Sequence, residues 1–246
     1  MSIVLYKQHI FAEVISVECN TYTLRLLTEE DAGRTHTAPA SDVTDLHRLY
    51  KRQVEVRPSA THGQGVFALR DIDANQLLFC DFGDALLCAH AVLRIQGEPK
   101  IGISTAWPLA IHLLRRGRRT WPFALHRNKR MRKDVLKDDA NKEMHAHLCK
   151  TYAPEDIENV LELVLTNHFV SEGSTTVPSI STLGLVSSRI NSSFTEKDEN
   201  VYSQLLFVEL QNGDLMPLLA WFSKKRISAG EELVYLYGET SMKYLQ

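Results

Sequence analysis

Two short stretches of the sequence hold residue types that could bind a ligand or take part in chemistry. Gly63-Gln64-Gly65 is the kind of glycine pair that begins a dinucleotide fingerprint, and Asp81 and Asp84 follow roughly where a ribose-binding acid would stand. Near the other end, Tyr235-Leu236-Tyr237 carries two hydroxyls two residues apart. On a strand, both of these side chains would face the same side. The elements around each stretch decide between the chemistries.

The sequence after the glycine pair argues against a dinucleotide site. A Rossmann glycine loop opens directly into a helix, whose N-terminus receives the pyrophosphate. Here Gly65 is followed by VFALRDI, a β-like run that ends in a turn. A glycine loop can still bind a ligand through its backbone amides and carbonyls, because a ligand can approach it closely. An ordinary glycine-rich β-turn remains the alternative.

Composition bounds the class of protein. The chain has 246 residues, of which 44% are hydrophobic and 24% charged, enough for one globular domain with an appendage. The net charge is −2, so the chain as a whole lacks the basic excess of a polyanion binder. No apolar run of about 18 residues and no signal-peptide pattern occur, so no membrane partner is expected. Four scattered cysteines without a CxxC pair favour a reducing, intracellular compartment and argue against structural zinc.

The predicted elements alternate between β-like and helical segments. Short β-like runs over residues 9–50 indicate a small N-terminal β-module, SH3- or Tudor-like in strand spacing, or else an extension of the main sheet. Strands are predicted again over 53–88. Apolar periodicity and a proline at the first turn then predict helices, at 106–116, 135–150 and 154–169. Two further β-like runs flank the hairpin signal Gln211-Asn212-Gly213-Asp214.

One segment of the sequence echoes another. FALRDIDANQLL (67–78) and FSKKRISAGEEL (222–233) align without a gap at a constant offset of 155 residues. Each predicts a strand, an isoleucine, a tight turn and a second strand. Two similar β-units separated by a helical segment indicate an α+β protein rather than a doubly wound one.

Three segments in order resemble the SET-domain family of protein-lysine methyltransferases. SATHGQGVFALRDIDANQLL (59–78) is similar to the family's opening strand pair, S-x-x-x-G-x-G-V-F-A. SRINSSFTEKDEN (188–200) resembles its R-F-x-N-H-S-C/F-x-P-N segment. FSKKRISAGEELVYLYGE (222–239) resembles its closing A-x-R-x-I-x-x-G-E-E-L-x-Y-x-Y-G. The resemblance covers about residues 53–240.

The resemblance implies an α+β SET-domain fold of short twisted β-sheets, with the Asn191 segment tucked under the C-terminal loop in a pseudoknot. Helix 154–169 is similar to that of the branch with a helical insertion between the two halves of the sheet, without a MYND or cysteine-rich post-SET module. The expected domains are an N-terminal β-module (1–50), the SET domain (51–240, with a helical insertion at 89–169) and a short C-terminal tail (241–246).

The resemblance also implies an activity, the transfer of a methyl group from S-adenosylmethionine to a lysine of a histone tail or another protein, with S-adenosylhomocysteine as product. Its motifs assign cofactor binding to His62, Gly63, Gln64, Gly65, Arg189, Asn191, Ser192 and Tyr237. Tyr237 is the expected catalytic tyrosine, and Tyr235 is expected to line the lysine channel beside it. As alternatives, both tyrosines are ordinary strand aromatics and Asn191 is a turn residue.

Methyl transfer to lysine makes two demands on such a site. The neutral amine must be aligned with the transferring methyl group. Hydroxyl and carbonyl oxygens can hold that methyl group through weak C–H···O contacts. The amine must also lose its proton, which an apolar channel and the cofactor's positive sulfonium favour. The resemblance to SET enzymes, in which a tyrosine at this position leaves little room for added methyl groups, implies mainly monomethyl-lysine. Glu231 and Glu232 could form an acid–base pair, but neighbours on a strand face opposite sides, so a structural role is expected for both.

Several features depart from the family pattern or suggest other functions. Ser192 stands where the family has histidine, which leaves a SET-fold binding protein with lost or weak catalysis as the alternative function. The segment 115–137 carries ten Lys/Arg, as a solvated face, a nuclear-localisation signal or a contact with DNA or a nucleosome would. A nucleus is therefore favoured over the cytoplasm. His145 and Cys149 share a predicted helix face while His147 points away, which argues against a metal site.

Overall fold

The computed structural model describes residues 3–6, 10–27, 33–61, 63–81, 86–89, 94–95, 98–99, 104–117, 127–167, 169–171, 180–184, 186–193, 195–209 and 215–236. It divides the chain into two compact units. One comprises Met1–Gly83 and Asn191–Leu236, and the other comprises Asp84–Ile190 and Tyr237–Gln246. The mixture of helices and mostly antiparallel sheets confirms the predicted α+β class.

The strands and helices have the following bounds. The strands are β1 (Ile3–Tyr6), β2 (Ile10–Glu18), β3 (Thr21–Leu26), β4 (Thr35–Pro39), β5 (Val43–Asp45), β6 (Val54–Pro58), β7 (Gln64–Ala68), β8 (Leu77–Asp81), β9 (Leu86–Ala89), β10 (Arg94–Ile95), β11 (Glu98–Pro99), β12 (Phe169–Ser171), β13 (Ile180–Leu183), β14 (Asn191–Ser192), β15 (Val201–Glu209), β16 (Leu215–Ser223) and β17 (Glu232–Tyr235). The helices are α1 (Leu46–Gln53), α2 (Trp107–Arg116), α3 (Lys129–Val135), α4 (Asp139–Leu148) and α5 (Pro154–Asn167).

The N-terminal strands form a sheet of five, in the order β4-β3-β2-β1-β5. Its inner face is apolar, with Ala12, Leu24 and Ala38 almost fully buried. The sheet and α1 also share apolar contacts with the following strands. Leu49 of α1 clusters with Leu77, Cys80 and Ala220, against which Phe11 and Leu27 pack. Helix α1 was not predicted, because its eight residues are too few to show apolar periodicity.

Two further sheets complete the first unit. One has the order β14-β17-β7-β6 and the other the order β15-β16-β8. The predicted hairpin strands β15 and β16 pair over their full length, from Val201↔Ser223 to Glu209↔Leu215. The turn residues 211–214 lie outside the described residues.

The echoed segments pack against each other about a local twofold axis. Ile72 and Ile227, which occupy equivalent positions in the echo, are both fully buried and form an antiparallel bridge with two hydrogen bonds of 2.9 Å. Other bonds occur in equivalent pairs. The N–H of Gly230 donates to the carbonyl of Ala68, and the N–H of the equivalent Asn75 donates to the carbonyl of Ser223. Likewise, the N–H of Ala68 donates to the carbonyl of Glu231, and the N–H of Ser223 donates to the carbonyl of Gln76. The repeat in the sequence is therefore a repeat in the fold.

Helices α2 to α5 build the core of the second unit. The core includes fully buried Trp107 and Ile157, and all three predicted helices are confirmed within a few residues at each end. The segment 115–137 is partly structural here, because Arg127 bonds Asn159 and Arg132 pairs with Glu158 and Glu162 on α5. Contact of this segment with nucleic acid stays a prediction. Among the described residues, no helix has both the length and the apolar character needed to cross a membrane.

Candidate active site

The four-stranded sheet brings most of the predicted site residues together. Strand β14 runs parallel to β17, with Asn191 beside Val234 and Ser192 beside Tyr235. Strand β17 pairs antiparallel with β7, which carries Gln64 and Gly65. The pairing of β17 with β7 joins segments more than 160 residues apart along the chain. The C-terminal loop itself lies outside the described residues.

Three predicted residues are not part of this sheet as the structure describes it. His62 and Tyr237 lie outside the described residues. Arg189 ends a 3-10 turn (Ser187–Arg189) that belongs to the second unit, and burial lowers the pKa of its guanidinium. In the first unit, the hydroxyl of Ser192 donates to the carbonyl of Ser193 over 2.9 Å.

The glycine loop turns back on itself before β7. The N–H of Ser59 donates to the carbonyl of Gly63 (3.0 Å), and the hydroxyl of Ser59 accepts from the N–H of Thr61. Gly63 has a φ of +53°, in the left-handed region that favours glycine. A Cβ at this position would meet no atom of the described residues within 4 Å. Among the described residues, the backbone of Gly63 is therefore open to a close approach.

Gly65 has a different environment. It is buried in β7, and a Cβ placed on it would lie 2.2 Å from Oε1 of Glu232, far inside van der Waals contact. Glu232, on the neighbouring strand, accepts a hydrogen bond from the Ser59 hydroxyl at Oε2 (2.9 Å). Its Oε1 accepts another from Nδ2 of Asn191 (2.7 Å), and the same Nδ2 donates to the carbonyl of Gln64 (3.3 Å). One carboxylate thus joins the loop, β7 and β14.

Asn200 and Glu231 fix β17 from its other side. The N–H of Val234 donates to Oδ1 of Asn200 (2.8 Å), while Nδ2 of Asn200 donates to the carbonyl of Glu232 (2.8 Å) and to Oε1 of Glu231 (3.1 Å). Glu231 also accepts from the N–H of Ser228. The two neighbouring glutamates therefore have separate partners, which confirms the expectation that they do not form a pair.

Tyr235 lies in a mainly aromatic environment. Its ring packs edge-on against that of Trp221, with centroids 5.5 Å apart, and Trp221 stacks on Phe79. The indole N–H of Trp221 donates to Oδ2 of buried Asp81 (3.3 Å). Burial and nearby Glu199 raise the pKa of the Tyr235 hydroxyl, and a hydrogen bond with Ser203 offsets this in part. The hydroxyl consequently stays protonated over the range in which a lysine amine begins to lose its proton.

Helix α4 carries the residues considered for a metal site. Sγ of Cys149 lies 3.7 Å from Nδ1 of His145, so these two share a face of the helix as expected. Across the described ranges, no group of three or more His, Cys, Asp or Glu side chains is arranged to hold a metal ion.

Comparisons with known proteins place the chain in a family. The family model described as "SET domain" matches residues 63–238, more than two thirds of the sequence. The chain belongs to the SET-domain family, which confirms both the resemblance seen in the sequence and the predicted fold.

Solved structures give a more distant likeness. The SET domain of LSMT, crystallised with lysine and AdoHcy, is 15% identical with a TM-score of 0.49, covering 79% of this chain and 52% of that one. A crystal structure of the candidate histone methyltransferase PFL0690c from Plasmodium falciparum is 12% identical with a TM-score of 0.34, covering 76% of this chain and 95% of that one. No curated protein sequence matches the chain.

Sequence reasoning missed several residues of the site. It assigned Glu232 a structural role and no contact with the predicted ligand-binding residues. It assigned no role to Ser59, Asn200 and Trp221. For Glu232 a signal existed, since the residue lies within the G-E-E-L motif, but its partner Gly65 is 167 residues away along the chain (232 − 65).

Proposed function

We propose that this chain is an S-adenosylmethionine-dependent protein-lysine N-methyltransferase. The observation that carries the proposal is the parallel pairing of β14 with β17 next to β7, in a chain of the SET family. This pairing sets Asn191 beside the glycine loop and Tyr235 on the strand between them. A polar amide, an open loop and a buried tyrosine are what binding a small cofactor and guiding an amine toward it require.

The described residues fit the amino-acid end of S-adenosylmethionine. Polar groups are concentrated around the loop, where the Gln64 carbonyl is an acceptor and the Glu232 carboxylate holds the Asn191 amide beside it. A ligand ammonium donates three hydrogen bonds and suits such a set. No described residue lies within 4 Å of a Cβ built on Gly63, which supports access of a ligand to this backbone. The cofactor, when bound, supplies an activated methyl group on a positively charged sulfur.

Tyr235 is proposed to line the lysine channel and to position the amine. Contact with Trp221 fixes its ring, and its raised pKa keeps the hydroxyl a donor at alkaline pH. A hydroxyl that holds the amine or a water leaves little room for added methyl groups, so monomethyl-lysine is the expected main product. Tyr237 is proposed as the catalytic tyrosine, with His62, Arg189 and Ser192 completing the cofactor site, on the family motif alone.

The test is methyl transfer from radiolabelled S-adenosylmethionine to an array of lysine peptides, followed by mass spectrometry of the product. Tyr237→Phe should remove most turnover and leave cofactor binding intact, and Tyr235→Phe should shift the product toward dimethyl-lysine. Tyr202→Phe is the matched control, because Tyr202 stacks on Phe222 and has no proposed role.

The methyl-transfer rate should climb from neutral to alkaline pH, since at pH 7 only about one free lysine in a thousand or fewer is neutral. Ionisation of the Tyr235 hydroxyl should not lower the rate over this range. Full activity in Tyr237→Phe, or trimethyl-lysine from the unmodified chain, would contradict this account of the channel. Cofactor binding by calorimetry with no turnover on any peptide would favour the alternative, a SET-fold binding protein.

A further inference from the structure

We infer that Glu232 is a positioning residue of the cofactor site, and that position 65 is glycine to make room for its carboxylate. The inference rests on the proposed function. It assigns the two glycines of Gly63-Gln64-Gly65 to different tasks. Gly63 serves the ligand side of the loop, and Gly65 serves the protein side.

The surroundings of the two glycines separate these tasks. A Cβ on Gly63 would meet nothing among the described residues within 4 Å. A Cβ on Gly65 would lie 2.2 Å from Oε1 and 2.9 Å from Cδ of Glu232, and 3.0 Å from the ring of Phe67. The closest atoms are the end of the Glu232 side chain. An alanine at 65 would therefore displace the carboxylate first, and the strand pairing around it could stay.

The carboxylate determines which way the Asn191 amide points. A primary amide can present either its oxygen or its NH₂ group to a neighbour, and the two orientations differ only by a rotation. A carboxylate only accepts hydrogen bonds, so it selects the NH₂ group. Nδ2 of Asn191 accordingly donates to Glu232 (2.7 Å) and to the Gln64 carbonyl (3.3 Å). The amide oxygen is thereby directed away from Glu232.

Ser59 ties the same carboxylate to the glycine loop. Its hydroxyl donates to Oε2 of Glu232, and its N–H donates to the carbonyl of Gly63. Glu232 therefore fixes both the asparagine and the loop that are proposed to meet the cofactor. It does so without being assigned a contact with the reacting atoms, so its effect should fall on cofactor affinity rather than on the chemical step.

The experiment is a double-mutant cycle on Gly65 and Glu232, read by calorimetry with S-adenosylhomocysteine. Gly65→Ala and Glu232→Ala should each weaken binding about tenfold or more, the effect of losing one charge-assisted hydrogen bond. The double variant should bind within about threefold of Glu232→Ala alone, because alanine at 65 has nothing left to displace. Additive losses would overturn the inference and make Gly65 a residue of direct ligand approach.

Two further variants separate positioning from a general loss of stability. Glu232→Gln keeps an acceptor for Asn191 and can donate to the Ser59 hydroxyl, so it should restore affinity to within about threefold of the unmodified chain. Glu231→Ala, which removes the neighbouring carboxylate that bonds Asn200, should leave the affinity unchanged. In turnover assays, Glu232→Ala should raise KM for the cofactor and leave kcat at saturating cofactor nearly constant. A loss confined to kcat would overturn the inference.

The proposed function and the inference can fail separately. If the unmodified chain binds no S-adenosylhomocysteine, the proposed function is wrong. Urea unfolding of the unmodified chain, the two single alanine variants and the double variant still tests the link between Gly65 and Glu232. Alanine at 65 should then cost clearly less stability without Glu232 than with it, and equal costs would overturn the inference.

Discussion

The two echoed β-units share a backbone and differ at the place where the candidate site lies. The offset of 155 residues makes Gly65 equivalent to Ala220 and Glu232 equivalent to Leu77. The strand pairs are equivalent too, since Glu232 lies opposite Phe67 as Leu77 lies opposite Phe222. In the Gly65/Glu232 pair, the carboxylate lies next to the glycine and accepts a hydrogen bond from Asn191. In the other pair, leucine and alanine belong to one apolar cluster.

A second difference lies next to this pair. The register between β16 and β8 shifts at Trp221 and Phe222, which pair with Phe79 and Leu77 and leave Leu78 of β8 as an extra residue, whereas the equivalent residues Val66 and Phe67 pair regularly with β17. A bulge bends its strand and redirects a side chain. Trp221 pairs with β8 next to this bulge, and it contacts Tyr235 and Asp81. The comparison teaches that one strand–turn–strand backbone builds apolar core in one place and the polar candidate site in the other, through a few side chains and one bulge.

The largest effect should come from the residues on the twofold axis. Ile72→Ala and Ile227→Ala each empty a fully buried position and should each lower the free energy of unfolding by about 2–5 kcal/mol. Because the two side chains are equivalent, we expect the two losses to agree within about 1 kcal/mol. Chemical denaturation of both variants measures this. A much larger loss at one position would show that the two halves do not share their core equally.

The next largest effect should come from replacing the polar pair Gly65/Glu232 with the residues of the equivalent apolar pair. The double variant Gly65→Ala/Glu232→Leu places the Ala220/Leu77 pair in the site. It should cost about 1–3 kcal/mol of stability, because Asn191 and Ser59 lose their acceptor, and should abolish cofactor binding. Denaturation and calorimetry give the two values. Retained cofactor affinity would mean that the difference between the two strand pairs has no part in binding.

A smaller effect should come from the hydrogen bonds that close the turn in each echoed segment. In the second echoed segment (222–233), the N–H of Glu231 donates directly to the carbonyl of Ser228. In the first, the hydroxyl of Ser223 lies between the equivalent groups, accepting from the N–H of Gln76 (2.8 Å) and donating to the carbonyl of Asp73 (2.5 Å).

Ser223→Ala should therefore lower the unfolding free energy by about 1 kcal/mol. The reverse change, Ala68→Ser, is the control and should not stabilise the protein, since the groups it would reach are already bonded to each other. A stabilising Ala68→Ser would contradict the proposed asymmetry.

The smallest effect should come from the exposed ion pair across the axis. Asp71 accepts hydrogen bonds from the N–H of Ala229 (2.9 Å) and from Arg226 (3.1 Å), and these bonds lower the pKa of its carboxyl. A lowered pKa stabilises the fold above the unfolded value of 3.8, and this contribution is lost as pH falls through the folded value. Asp71→Asn should therefore lower Tm slightly at neutral pH and match the unmodified chain at acid pH. A difference that persists there would exclude an electrostatic origin.

Local patterns predicted the strands of the echoed segments, the β15–β16 hairpin and the three longer helices. The gapless echo and the G-E-E-L motif lie within continuous segments, so their strands could be placed from the sequence. Helix α3 was not predicted, because its residues were interpreted as part of the basic segment. The contact between Gly65 and Glu232 could not be predicted either. It depends on strand register between segments that only the folded chain brings together, and a glycine before a strand has several common explanations.

The strand pairing of the site also has a consequence for how the chain folds. The Asn191–Gln64 and Ser59–Glu232 bonds span 127 and 173 residues. Contacts of such high sequence separation form late, because the entropy of closing a long loop is lost before the contacts compensate for it. This entropy grows only slowly, by about 0.6 kcal/mol for each doubling of loop length. The strand pairing of the candidate site is therefore expected to form in a late phase of refolding.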